Sequence, residues 1–288
     1  MLGKIVKYEL KATRFFFLLM LGFIAATTLI VVFIGILPTA LEARKAQEYY
    51  DYYGSGGMEM ASIGIMISIL LYSLVMMAVS AGSQIAIGVR FYKTMYGHQG
   101  YLTQSLPVKP HELLLGKTIA AVLWLLLIGI VYLLSIALLG SVAGFAVMQA
   151  TVLDFYKLSG YMNGWLHDTF GNNYYMLILI GLVSVVCNTI YSVLMIFFSI
   201  SLGQRANSHR GLVSVAIYLG LSILIAIGNS VFTQVITFSA YSHGRMHMGG
   251  PSLLMYAILI FGLSVSVLAS VLFYLGTHWT LEKRLNLQ

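Results

Sequence analysis

Residues 119–147 read IAAVLWLLLIGIVYLLSIALLGSVAGFAV, twenty-nine positions without a formal charge. A bilayer core about 30 Å thick takes roughly 20 apolar residues of helix to cross. This run is long enough to cross, with residues to spare. It either tilts or leaves the membrane near Gly140 to Gly144. A β-barrel strand would alternate apolar and polar side chains over about ten residues. This run is continuous, so it is read as a helix.

Five further runs behave in the same way. With the first they fall at about 15–37, 62–88, 119–147, 174–202, 211–238 and 252–276. None of the 25 charged residues lies inside any of them. Hydrophobic residues make up 59% of the 288 residues and charged residues 9%. A soluble domain carries about 25% charged residues, so this chain lacks the charge to cover a water-facing surface. The expected class is an all-α integral membrane protein with six spans, forming one domain over residues 1–288. The run at 15–37 is too long for a cleaved signal peptide, and no small-residue cleavage site follows closely. The single Cys187 sits in an apolar run and cannot form a disulfide within one chain.

The basic residues set the expected orientation. Lys4, Lys7, Lys11 and Arg14 precede the first span. Arg90, Lys93, Lys109 and Lys117 lie between the second and third, Arg205 and Arg210 between the fourth and fifth, and Lys283 and Arg284 after the sixth. These twelve face only Arg44, Lys45, Lys157 and Arg245 in the other loops. The excess puts both termini in the cytoplasm. The net charge of +7 thus has a topological origin, and no nucleic-acid partner is expected. Tyr49, Tyr50, Tyr52, Tyr53, Phe155, Tyr156, Tyr161, Trp165 and Phe170 fall in the outer loops. They form either an interfacial belt or a vestibule for an amphipathic cargo.

Residues 2–14 read as a short amphipathic helix before the first span, a membrane-surface elbow. Its basic residues share one face, opposite Leu2, Ile5, Val6 and Leu10. Glu9 falls on the apolar side, so it either meets a base from another segment or reaches for water.

Several chemical motifs fail. Gly116-Lys117-Thr118 resembles the end of a phosphate loop, but position 111 is His where that loop needs Gly. His111-Glu112 lacks the second His of a zinc-protease helix, because position 115 is Leu. His243 and His247 have no nearby Asp, Glu or Cys to complete a metal site. No Asp, Glu, Lys, Arg or His lies within the spans to relay protons or couple ions. The polar groups there are neutral: Gln84, Asn188, Asn229 and Gln234 are the candidates. They either hydrogen-bond helix to helix or line a translocation path.

The polar segment from Arg90 to Lys117 reads RFYKTMYGHQGYLTQSLPVKPHELLLGK. Gly97 and Gly100 bracket a tight turn, and Pro110 suits the first turn of a new helix. Apolar residues set among its charges, Met95, Tyr96, Tyr101, Leu102 and Leu106, suggest an exposed docking surface. The order Gly100-Tyr-Leu-Thr103, Ser105-Leu-Pro-Val108, Glu112-Leu-Leu114 and Gly116-Lys117 is similar to the first cytoplasmic loop of type 2 ABC exporter permeases. Lys109 stands where that family often has Ser or Thr. The basic elbow and the six spans also resemble that family's layout, and the tail Leu281 to Leu287 resembles that of its Firmicutes members.

The resemblance implies a coupling helix in this loop and a separate cytosolic ABC ATPase that binds ATP-Mg. It implies a homodimer, or a heterodimer with a similar permease, in a bacterial cell membrane. Residues expected to dock the ATPase are Met95, Tyr96, Leu102, Leu106, Pro107, Val108, His111 and Glu112. No cofactor is expected on this chain itself. The expected cargo is apolar or amphipathic, such as a peptide, moved outward. Two other readings stay open: a membrane sensor or interaction subunit that transports nothing, and a membrane-embedded enzyme using outer His and Asp residues.

Overall fold

The computed structural model describes residues 2–36, 56–97, 100, 110–147, 160, 163–164, 167, 174–206, 209–242 and 246–285. Long helices make up nearly all of it: α1 (Leu2–Ile30), α2 (Gly56–Met95), α3 (Pro110–Val147), α4 (Tyr174–Gly203), α5 (Arg210–Ser242) and α6 (Met246–Leu285). A π-helical turn, Val31–Ile36, continues α1. No strand occurs among the described residues. Each helix contains one of the expected apolar runs, apart from position 37, and all six are long and apolar enough to cross a membrane. The helices run past the apolar runs because intrahelical hydrogen bonding does not stop at a membrane edge. Inside lipid, a helix is the single-segment way to satisfy every backbone N–H and C=O.

Many hydroxyl side chains within the helices follow the same logic, although the buried Ser184 hydroxyl has no partner among the described residues. Thr27 Oγ1 donates to the Phe23 carbonyl at 2.8 Å, Ser264 Oγ to Ile260 at 2.8 Å, and Thr277 Oγ1 to Phe273 at 2.7 Å. A Ser or Thr that bonds back one turn carries no unpaired donor into the apolar layer.

The helix ends obey their local chemistry. At the end of α2 the Gly97 N–H reaches the Tyr92 carbonyl at 3.0 Å, and the Gly100 N–H reaches the Gly97 carbonyl at 2.8 Å. That second bond ties the two glycines directly to each other. A Cβ at Gly97 would come within 2.8 Å of the Lys93 carbonyl oxygen, and one at Gly100 within 2.7 Å of Met95's. Pro110 opens α3, where its missing N–H goes unmissed. Between α4 and α5, His209 takes φ 52°, a left-handed conformation in which His is enriched. Its carbonyl then receives the Val213 N–H at 3.1 Å.

The N-terminal segment differs from expectation in one respect. Residues 2–14 belong to the same helix as the span that follows, and α1 is unbroken from Leu2 to Ile30. No Pro lies in this stretch, and Lys11-Ala-Thr-Arg14 contains no helix breaker.

Two compact units make up the chain. The first combines residues 1–9, 86–123 and 160–288, and the second residues 10–85 and 124–159. In the first, Leu194, Met195 and Phe273 form a core against which Tyr191, Phe198, Tyr218, Leu221 and Ile225 pack. Here α4, α5 and α6 come close. A Cβ on Gly276 would collide with the Phe198 ring, and one on Gly203 with the Ser214 backbone. In the second unit the Ser135 hydroxyl bonds both the Thr28 hydroxyl and the Tyr72 phenol. The Phe17 ring stacks on Trp124 with centroids 4.9 Å apart. Leu18, Leu74, Leu133, Leu182, Leu224, Leu268 and many other large apolar side chains are exposed on all six helices. Surface of this kind suits lipid and would aggregate in water.

Candidate functional site

The most organised polar cluster joins the polar ends of α1, α2 and α3, within the first unit. Glu9 is its centre. Arg90 Nε donates to one Glu9 oxygen at 3.1 Å, and Lys117 Nζ donates to the other. Lys117 also donates to Thr94 Oγ1 at 2.8 Å. Thr94 passes its own proton back to the Arg90 carbonyl at 2.8 Å. The Lys117 side chain is 5% exposed and that of Glu9 15%. An ammonium group so deeply buried is tolerable only beside a fixed counter-charge.

Local sequence sets this geometry. Arg90 and Thr94 are four residues apart on α2 and share a face. Ile5 and Glu9 are likewise four apart on α1. Ile5 packs onto Gly116, where an added Cβ would lie 2.7 Å from its Cγ2. Glu9 then meets Lys117, the next residue of α3. So Glu9, which broke the amphipathic pattern of the N-terminal segment, meets bases of other segments. Gly116-Lys117 carries a packing contact and an ion pair.

The cluster flanks the segment expected to dock a partner. On either side of Thr94 the end of α2 packs onto α4. Phe91 is 1% exposed and stacks on Phe197 with centroids 3.9 Å apart. The Tyr96 hydroxyl donates to Ser201 Oγ at 2.9 Å. Met95 is 3% exposed. It therefore belongs to the core, which corrects the expectation of an exposed docking side chain: it sits one turn after Phe91, on the same inward face. Tyr96 is half-buried. His111 and Glu112 lie half-buried on the first turn of α3, where the Glu112 carboxylate suits the positive end of the helix dipole. Leu102, Leu106, Pro107 and Val108, with Tyr101, lie outside the described residues.

The four candidate path residues divide. Gln84 on α2 is half-buried and engaged. Asn188 on α4 and Asn229 and Gln234 on α5 are exposed, and their side-chain amides have no partner among the described residues. Asn229 and Gln234 are five residues apart, so they point about 140° apart around α5. The amides thus do not pair with one another along one line.

Sequence reasoning missed three features. Thr94 holds Lys117. Tyr96 and Ser201 tie α2 to α4. The Arg205 guanidinium lies over the Trp279 ring at 4.5 Å, a cation–π contact between the start of the α4–α5 connection and α6. Only Thr94 had a readable signal, its spacing of four from Arg90. The other two depend on packing across distant segments.

Compared with known proteins, the chain matches no family model, no curated protein and no solved structure.

Proposed function

We propose that the chain is the membrane subunit of an ATP-driven exporter, worked by a separate cytosolic ATPase that binds ATP-Mg. One observation carries the proposal. The polar segment between α2 and α3 is bounded by two helix ends that are clamped to each other, and to α1, through buried Glu9. Helix ends joined in this way move together: a displacement of the end of α2 or of the start of α3 reaches the other and, through Glu9, the end of α1. The similarity of residues 100–117 to the first cytoplasmic loop of type 2 ABC exporter permeases gives the same segment its partner.

In this mechanism ATP closes two ATPase subunits beneath a dimer of permeases. Leu102, Leu106, Pro107, Val108, His111 and Glu112 follow that motion, and α2 and α3 tilt. Access to a path between subunits then changes. Asn188, Asn229 and Gln234 are neutral and suit an uncharged or amphipathic cargo, such as a peptide, moving past them outward. The proposal places both termini in the cytoplasm of a bacterial cell.

The test is co-purification. The tagged chain should retain an ATPase subunit that has no spans of its own. Replacing Leu106 and Pro107 with Ala and Glu112 with Gln should release it while the chain stays folded. Unchanged ATPase binding and unchanged ATP-dependent transport in that variant would refute the proposal.

A further inference from the structure

Glu9 is the only acid on α1, and its engagement leaves the other side of that helix uncompensated. Lys4, Lys7, Lys11 and Arg14 are all exposed. At steps of three, four and three residues they fall within an arc of about 80° on the unbroken helix. Glu9 points about 140° from Lys4, toward Arg90 and Lys117. Among the described residues, no side chain of the basic stripe holds an ion pair or a hydrogen bond. The stripe is therefore four like charges with no internal counter-charge.

The surroundings of the stripe say what covers it. Phe15, next after Arg14, is 79% exposed, and Leu18 and Leu19 beyond it are exposed as well. On the same side of the helix, then, the basic stripe runs directly into apolar surface that lipid covers. Tyr8 is exposed beside it, an aromatic side chain of the kind enriched where hydrocarbon meets water. A ligand here must present negative charge at the edge of hydrocarbon. An acidic soluble protein would offer the charge but would have to displace lipid to follow the stripe onto Phe15.

We propose that this face of α1 selectively binds anionic phospholipids. A zwitterionic headgroup carries a phosphate and its own cation, so it cannot neutralise four adjacent positive charges. A singly anionic headgroup such as phosphatidylglycerol can. Each basic residue near such a surface contributes roughly a fivefold preference. The inference does not depend on the exporter reading, since it requires only that α1 meets a bilayer.

The experiment uses the full chain reconstituted in phosphatidylcholine bilayers doped with spin-labelled phosphatidylglycerol or spin-labelled phosphatidylcholine. Electron spin resonance reads the fraction of each probe immobilised at the protein. The wild type should hold the phosphatidylglycerol probe at least fivefold more strongly, with the preference falling toward unity as salt rises to about 1 M. The variant K4Q/K7Q/K11Q/R14Q should lose the preference, whereas Lys93→Gln, an exposed base on α2, should keep most of it. If the quadruple variant misfolds by circular dichroism, the pairs K4Q/K7Q and K11Q/R14Q should each lower the preference. Equal retention of both probes by the wild type would overturn the proposal, and is also the result expected if an acidic protein segment covers the stripe. A preference indifferent to salt, or one surviving in folded K4Q/K7Q/K11Q/R14Q, would overturn it too.

Discussion

Helices α1, α2 and α3 are fastened twice, by two different chemistries. At their polar ends Glu9, Arg90, Lys117 and Thr94 form an ionic cluster. Within their apolar runs Thr28, Tyr72 and Ser135 form a cluster of hydroxyls. Both draw one or more residues from each helix. The difference follows from what each depth tolerates. A charge deep in hydrocarbon is expensive, so a fastening there is built from neutral groups. Near the membrane edge a charge costs less, and a buried carboxylate can hold two bases at once. The comparison implies unequal strengths: the hydroxyl cluster is a weak fastening that sets helix contact, and the ionic cluster is a strong one.

The largest effect should come from removing the centre of the ionic cluster. Glu9→Gln leaves the Lys117 ammonium buried without a counter-charge, and breaking such a pair costs about 3–5 kcal/mol. The midpoint of a denaturant titration in detergent should fall accordingly. The double variant Glu9→Gln with Lys117→Met should lose less than Glu9→Gln alone, because no stranded charge remains. A single variant as stable as the wild type would remove the distinction between the two clusters.

A smaller loss is expected at Thr94. Thr94→Val keeps the shape and removes one hydrogen bond to a charged group, worth about 1.5–3 kcal/mol. The same titration reads it. A loss near zero would mean that Glu9 alone satisfies Lys117.

Ser135→Ala should have the least effect. It removes the shared partner of Thr28 and Tyr72. Hydrogen bonds between membrane helices average about 0.6 kcal/mol each, so two together contribute about 1 kcal/mol. A loss equal to that of Glu9→Gln would reverse the ranking of the clusters.

Much of this architecture was legible in the sequence, for physical reasons. Six uncharged runs of bilayer length admit helices and little else, and Pro110 marks the start of α3 by residue type. Glu9 was visible as a misfit on the wheel, and misfit charges seek partners. What the sequence concealed was mutual placement. Met95 looked like a docking side chain because it stands among polar residues, yet the turn shared with Phe91 points it into the core. Tyr96–Ser201 and Arg205–Trp279 join segments far apart in the chain, and no periodicity records such pairs. Asn229 and Gln234 were readable as polar positions, but their exposure depends on which face of α5 packs against α4 and α6.

The proposed function requires the segment between α2 and α3 to pass the motion of an ATPase to the membrane helices. The most direct measurement is ATP-driven uptake of a panel of amphipathic peptides into inside-out vesicles holding this chain and its co-purified ATPase. The wild type should accumulate at least one peptide only when ATP is present. Glu9→Gln, in a preparation that still binds the ATPase and hydrolyses ATP, should uncouple hydrolysis from uptake. Undiminished uptake in that variant, or in one with Leu106, Pro107 and Glu112 replaced, would contradict the account.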